Sequence, residues 1–149
     1  MRYPAIVKKD GRHLVALFPT APGCQTQGDS EAQMQRRAAE ALQGWLEAQL
    51  QERRVPPRPG RARAAKGDRL IFVTVPAQLA VRLWLVWARV DAGLSQAKLA
   101  RRAGVSQQAI AKLEHPDSNP TIATLERVAR ALGTRLRVSL DRGDADVSR

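Results

Sequence analysis

The sequence predicts an α+β fold. A β-β-β-α-β unit spans residues 1–76, an all-α unit with a short C-terminal strand spans 77–140, and residues 141–149 form a frayed tail. Three observations lead there. Short runs rich in β-branched and aromatic residues, bounded by turn residues, occur at YPAIV (3–7), LVALF (14–18) and RLIFVTV (69–75). One long apolar stripe at 3.6-residue spacing lies between the second and third runs. Beyond Pro76 the pattern is helical, punctuated by Gly, Ser and Thr at short intervals.

The first two runs are separated by KKDGRH, whose Asp10-Gly11 pair is a hairpin signal. PTAPGC (19–24) then makes a turn, and QTQ a brief third strand. Ser30 is the expected N-cap of a helix, with Gln33 three residues on completing a capping box. Met34, Ala38, Ala41, Leu42, Trp45 and Leu46 share one face of that helix, which ends around Glu52 ahead of Pro56, Pro57 and Pro59. The stretch VPPRPGRARAAKG (55–67) lacks periodicity and reads as a flexible basic loop. Arg53, Arg54, Arg58, Arg61, Arg63 and Lys66 crowd around it, either as a solvated, mobile cluster or as a source of nonspecific attraction to DNA. RLIFVTV returns to the hairpin, which places the domain boundary near Pro76.

Four helices follow. The first covers 77–91 and is closed by Gly93; Ser95 caps the second, which ends at Gly104. Ser106 caps the third and Thr121 the fourth, which Gly133 terminates. RLRVSL (135–140) alternates polar and apolar residues like an exposed strand. In the helix at 77–91, Leu79, Leu83, Val86 and Val90 form one stripe, and Trp84, Leu85 and Trp87 carry the apolar surface around most of the circumference. The stripe is expected in the domain core, and Trp84, Leu85 and Trp87 at a subunit interface.

Composition bounds the function classes. The chain has 149 residues, a net charge of +11 and a pI of about 11.3, which points to a polyanionic partner. The excess is spread evenly, with 13 basic against 7 acidic residues in 1–76 and 12 against 7 in 77–149. Cys24 is the only cysteine, so no internal disulfide forms, and it reads as a small buried thiol of a cytoplasmic protein. The start MRYPAIVKKD has no signal-peptide pattern, and the run LAVRLWLVWARV (79–90), broken by Arg82 and Arg89, is too short and too charged for a membrane span. Metal-dependent phosphodiester hydrolysis needs converging carboxylates, yet only Asp10, Asp29 and Asp68 flank the strands, all in turns. His13 and His115 are far apart and have no cysteine companions. The expectation is therefore no catalysis, no metal and no cofactor.

QAKLARRAGVSQQAIAKLEH (96–115) fits a helix-turn-helix. Ala100 is small where the two helices touch, and Gly104 suits the left-handed turn between them. Leu99, Ala103, Val105, Ile110 and Leu113 supply an inward face. Such a unit lays its second helix in the DNA major groove, so Gln107 and Gln108 at its start are candidates for base readout. Ser106, Lys112 and Gln96 are candidates for phosphate contact. Residues 93–133 resemble the Xre/Cro-type DNA-binding domain of phage repressors. That resemblance implies operator contacts by Gln96, Gln107 and Gln108, and backbone contacts by the loop ending in Asn119 and Thr121, although HPDS stands where many relatives carry glycine.

The first half resembles the HicB antitoxin family in its Tyr-Pro start, hairpin, Pro-Gly-Cys turn, Gly-Asp-Ser helix start and PPRP segment, all in the family's order. The resemblance implies a partial RNase H-like fold that binds a HicA-like ribonuclease toxin, beside a second half that represses its own operon as a dimer on double-stranded operator DNA. Because this half is net basic, the toxin contacts are expected to be apolar or shape-based. The alternative reading is a stand-alone helix-turn-helix regulator whose N-terminal domain senses a small ligand.

Overall fold

The computed structural model describes residues 1–139. Four strands, β1 (Arg2–Asp10), β2 (His13–Leu17), β3 (Gln25–Gly28) and β4 (Arg69–Thr74), form one antiparallel sheet in the order β3-β2-β1-β4. The helix α1 (Glu31–Gln51) joins β3 to β4 and packs on one sheet face. Four shorter helices follow: α2 (Ala77–Asp91), α3 (Gln96–Ala103), α4 (Gln107–Glu114) and α5 (Ile122–Ala131). The architecture is thus α+β, with the strands and α1 in the predicted order.

The pairing register explains the sheet's two faces. Tyr3 opposes Val73 and Val7 opposes Ala16, and all four are buried, as are Ala5, Phe18 and Val75. Period-2 alternation sends this set to one side. There it meets Met34, Ala38, Leu42, Leu46 and Leu50, the buried stripe of α1. At 21 residues, α1 is about 30 Å long, enough to cross the whole sheet.

Ser30 caps α1 by accepting from the Gln33 backbone N–H at 3.3 Å. The Gln33 side chain returns the contact one residue early, accepting from the Asp29 N–H at 2.6 Å instead of that of Ser30. Gly28 is needed where the chain enters this turn, since a Cβ there would lie 2.6 Å from the Met34 backbone nitrogen. Cys24 is buried and its thiol pKa is pushed up to about 11 by desolvation.

Three expectations need correction. First, α2 belongs to two cores at once. Leu79, Leu83, Val86 and Trp87 are buried in the sheet–α1 cluster, while Leu85 packs against the cluster formed by Leu94, Leu99, Ala100, Ile110 and Val128. Trp87, expected at a subunit interface, is therefore enclosed within its own chain, and Leu85 is half-buried there. Of the three residues proposed for that interface only Trp84 is open, at 59% exposure.

Second, the proline segment is not free at its start. The buried Pro56 accepts a hydrogen bond from Trp87 Nε1 at 2.7 Å, and the Pro57 carbonyl accepts from the Tyr3 hydroxyl at 2.7 Å. Arg58 lies over the Trp87 ring and pairs with Asp91 at 2.5 Å. Proline has no N–H to satisfy, so its carbonyls are left to serve buried donors.

Third, residues 134–139 form no strand. A strand needs a hydrogen-bonded partner, and within the described residues no other strand lies alongside. The remaining position of that expected strand, Leu140, and the expected frayed tail lie outside the described residues. Among the described residues no helix is long and apolar enough to cross a membrane.

Replacing Trp87 by Phe keeps most of the apolar contact but leaves the Pro56 carbonyl without its donor. A loss of about 1–3 kcal/mol is expected, read as a fall of roughly 3–10 °C in the melting midpoint. Ile122→Ala, at an exposed position of α5, is expected to change stability by less than about 0.5 kcal/mol. Equal losses in both variants would contradict this assignment.

Candidate DNA-reading surface

The turn between α3 and α4 is built from three local devices. Ser95 caps α3 by accepting from the Lys98 N–H, and Ser106 caps α4 by accepting from the Ala109 N–H at 3.1 Å. Gly104 ends α3 with φ 65° and ψ 38°, a left-handed conformation that is cheap for glycine, and nothing lies where a Cβ would point. The inward set follows the sequence pattern: Leu99, Ala100, Ala103 and Ile110 are buried, and Val105 and Leu113 are half-buried.

On the outward side, Gln107 and Gln108 are exposed at the first turn of α4, and Lys112 is exposed one turn beyond Gln108. Asn119 is exposed in the following loop, and Thr121 is exposed at the start of α5, where its hydroxyl oxygen accepts from the Thr124 N–H. The oxygens of Ser106 and Thr121 are thus engaged as caps; the Ser106 hydroxyl keeps a proton to donate, while the Thr121 hydroxyl also lies 2.9 Å from that of Thr124. Gln96 differs from the other candidates. It is half-buried, and its amide donates to Glu114 Oε2 at 2.9 Å.

That contact belongs to a network that sequence reasoning missed. Glu114, at 7% exposure, takes a two-point ion pair from Arg89: Nε to Oε1 at 2.5 Å and an Nη to Oε2 at 2.9 Å. Arg89 also donates to the Leu94 carbonyl at 3.0 Å. One carboxylate therefore ties α2, α3 and the C-terminal end of α4 together, and Arg89 adds the α2–α3 turn. A signal was present in the sequence, since a lone Glu in IAKLE and an Arg near the end of an apolar helix are both costly to bury unless paired.

A second buried cation fixes the loop after α4. Arg82, at 4% exposure, donates from Nε to Ser118 Oγ at 3.1 Å and from an Nη to the Ser118 carbonyl. Desolvation lowers its pKa, with the carboxylates of Glu47 and Asp117 acting against that shift. Ser118 Oγ donates in turn to the Leu113 carbonyl at 3.0 Å. The HPDS segment is therefore anchored to α2 through Ser118, with Pro116 also buried.

The polar groups of the first domain do not converge. Asp29 holds His13 at 2.5 Å and Asp68 holds Lys8 at 3.8 Å, both at the sheet margin. Among the described residues no three His, Cys, Asp or Glu side chains cluster closely enough to hold a metal ion.

Fold and site together define a DNA-binding protein of the helix-turn-helix class that carries an antiparallel sheet domain in front of the motif. The helix-turn-helix family model matches residues 85–138. Antitoxin HicB 2 of Photorhabdus laumondii is 30% identical over 138 residues, covering 93% of this chain and 95% of its own length. Antitoxin HicB of Escherichia coli K12 is 28% identical over 138 residues, covering 91% and 96%. The chain belongs to the HicB antitoxin family. A chain of the solved HicA3 and HicB3 toxin–antitoxin complex is 25% identical with a TM-score of 0.44, covering 51% of this chain and 99% of its own.

Glu114→Ala would leave the Arg89 guanidinium enclosed without its counter-ion. Removing one partner of a buried pair costs about 3–5 kcal/mol, and the two-point geometry puts this site toward that range. Thermal melting should show a large drop, whereas Lys112→Ala on the exposed face should leave the midpoint within a degree or two. A melting midpoint insensitive to Glu114→Ala would show that the pair is not structural.

Proposed function

We propose that this chain is an antitoxin that binds and neutralises a HicA-like ribonuclease toxin in the cytoplasm and represses its own operon as a dimer. The observation that carries the reading is the extent of the match to HicB antitoxins, which covers 93% of this chain at 30% identity. The sheet domain and the DNA-reading domain thus occur together over that length, and neither is an isolated resemblance. The chain acts sterically on both partners and catalyses nothing itself.

On DNA, α4 enters the major groove and Gln107 and Gln108 read base edges, since a glutamine amide pairs bidentately with adenine. Lys112, Ser106, Asn119 and Thr121 contact the backbone, and Gln96 does so with the amide proton that Glu114 leaves free. Support for dimerisation comes from a groove of about 510 Å³ beside the exposed Trp84, between α2, α5 and residues 134–137. Its walls include Leu85, Leu125, Ala129 and Leu132. Apolar surface of this kind is what a second copy of the chain would cover, and symmetric dimers suit operators with two half-sites.

The reading is tested by co-purification with the product of the adjacent reading frame and by gel shift on the upstream DNA. Gln108→Ala is expected to weaken specific operator binding by about 5- to 150-fold, corresponding to roughly 1–3 kcal/mol for one bidentate pair, while toxin co-purification persists. Unchanged operator affinity would remove Gln108 from base readout. Trp84→Arg is expected to shift the chain toward monomer in sedimentation velocity and to lower operator affinity with it. A fully dimeric Trp84→Arg protein would place the subunit contact elsewhere.

A further inference from the structure

The end of α1 and the outward side of α4 form the two walls of a groove of about 380 Å³. Arg53 and Arg54 come from the first wall, Lys112 and His115 from the second, and Gln96 lines the groove beside them. The second wall belongs to the helix that carries Gln107 and Gln108. Lys112 lies one turn beyond Gln108 and so shares its face. The face of α4 that carries Gln108 therefore reaches the groove through Lys112, and the groove leads from there to the sheet domain.

Its charge is positive. Arg89 and Glu114 neutralise one another inside the fold, which leaves Arg53, Arg54 and Lys112 against Asp117 along the groove. Arg54 also pairs with Glu52, but both side chains are more than half exposed, and such pairs exchange readily for another anion. The basic segment noted in the sequence is thereby divided, because Arg58 is taken up by Asp91 and the Trp87 ring on another side of α2.

Backbone geometry singles out Arg53. The Arg53 N–H bonds the Leu50 carbonyl at 3.0 Å and the Arg54 N–H bonds the Gln49 carbonyl at 2.8 Å, a Schellman ending for α1. The left-handed position of that motif ordinarily takes glycine. Here it is Arg53, with φ 56°, and it is the only non-glycine residue at positive φ among the described residues. A strained position held by a long cation is a pointer to a binding role.

We propose that Arg53 and Arg54 clamp the DNA phosphate backbone beside the bases read by α4, so that the sheet domain contributes directly to operator affinity. The inference rests on α4 being the DNA-reading helix. Guanidinium groups suit the task because their paired donors match phosphate oxygens. Phosphate contacts add affinity at every sequence and carry no base preference.

The test uses the full chain on its mapped operator, with affinity measured from low to high salt. Each lost phosphate contact reduces the salt slope by about one. Arg53→Gly/Arg54→Gln is therefore expected to bind about 10- to 100-fold more weakly at ~0.1 M salt, with a slope flatter by about two and an unchanged preference for operator over scrambled DNA. Glycine suits the left-handed position, so the melting midpoint should not fall, which separates this loss from misfolding. Arg53→Lys/Arg54→Lys is expected to keep most of the slope. Unchanged affinity and slope in Arg53→Gly/Arg54→Gln, or loss of toxin binding with DNA binding intact, would overturn the clamp. If the wild-type chain fails to bind the operator at all, the DNA-reading assignment of α4 falls and the clamp with it. If the wild-type chain binds and Gln108→Ala loses affinity as expected, a null result at Arg53 and Arg54 overturns the clamp alone.

Discussion

Burial of α2 on two sides organises the rest of this molecule. Four of its side chains, Leu79, Leu83, Val86 and Trp87, complete the core under the sheet, while Leu85 meets the helix-turn-helix core. At about 1.5–3 kcal/mol for each large apolar side chain taken out of water, the contribution to the sheet domain is comparable with the net stability of an ordinary domain. A 15-residue helix held that firmly becomes a rigid mount for whatever else is attached to it.

What is attached is the helix-turn-helix motif, and the fasteners are polar. Arg89 grips Glu114 at the end of α4, and Arg82 grips Ser118 in the loop after it. Both arginines lie on α2, two turns apart, among residues that otherwise exclude water. Hydrogen bonds in such surroundings are strong when complete and costly when broken. Apolar packing alone would let α4 slide, because hydrophobic contact has little directional preference. The two guanidinium groups instead fix its orientation relative to the sheet. The same mounting sets α4 alongside the end of α1 and so makes the groove between Arg54 and Lys112.

The proline segment serves the same arrangement from outside. Trp87 and Tyr3 each bring a polar hydrogen into the core, and the carbonyls of Pro56 and Pro57 receive them. Without these acceptors the two largest side chains of that region would bury unsatisfied donors. The segment is therefore part of the core's closure, and its composition alone, which suggests a flexible linker, conceals that role.

Much of this was legible from the residues. Strand runs, caps at Ser30, Ser95, Ser106 and Thr121, and the glycine at 104 are local signals, and each reports on a few neighbouring peptide units whose geometry is decided nearby. Gln107 and Gln108 could be named as DNA-reading candidates for the same reason, since their exposure follows from helix period and cap position. Trp84 and Trp87 show where that reasoning stops. The sequence offers two tryptophans three residues apart on an apolar helix, and nothing local says that one is enclosed and the other open. Residues 134–139 alternate as a strand would, but a strand depends on a partner the sequence does not specify. The pairing of Arg89 with Glu114 and the placement of Arg53 across one groove from Lys112 bring together residues 25 and 59 positions apart. Local chemistry, written in the sequence, determined which elements form; only the three-dimensional packing of α2 between two cores decided which of their side chains meet, because contact between distant residues depends on the orientation of whole elements.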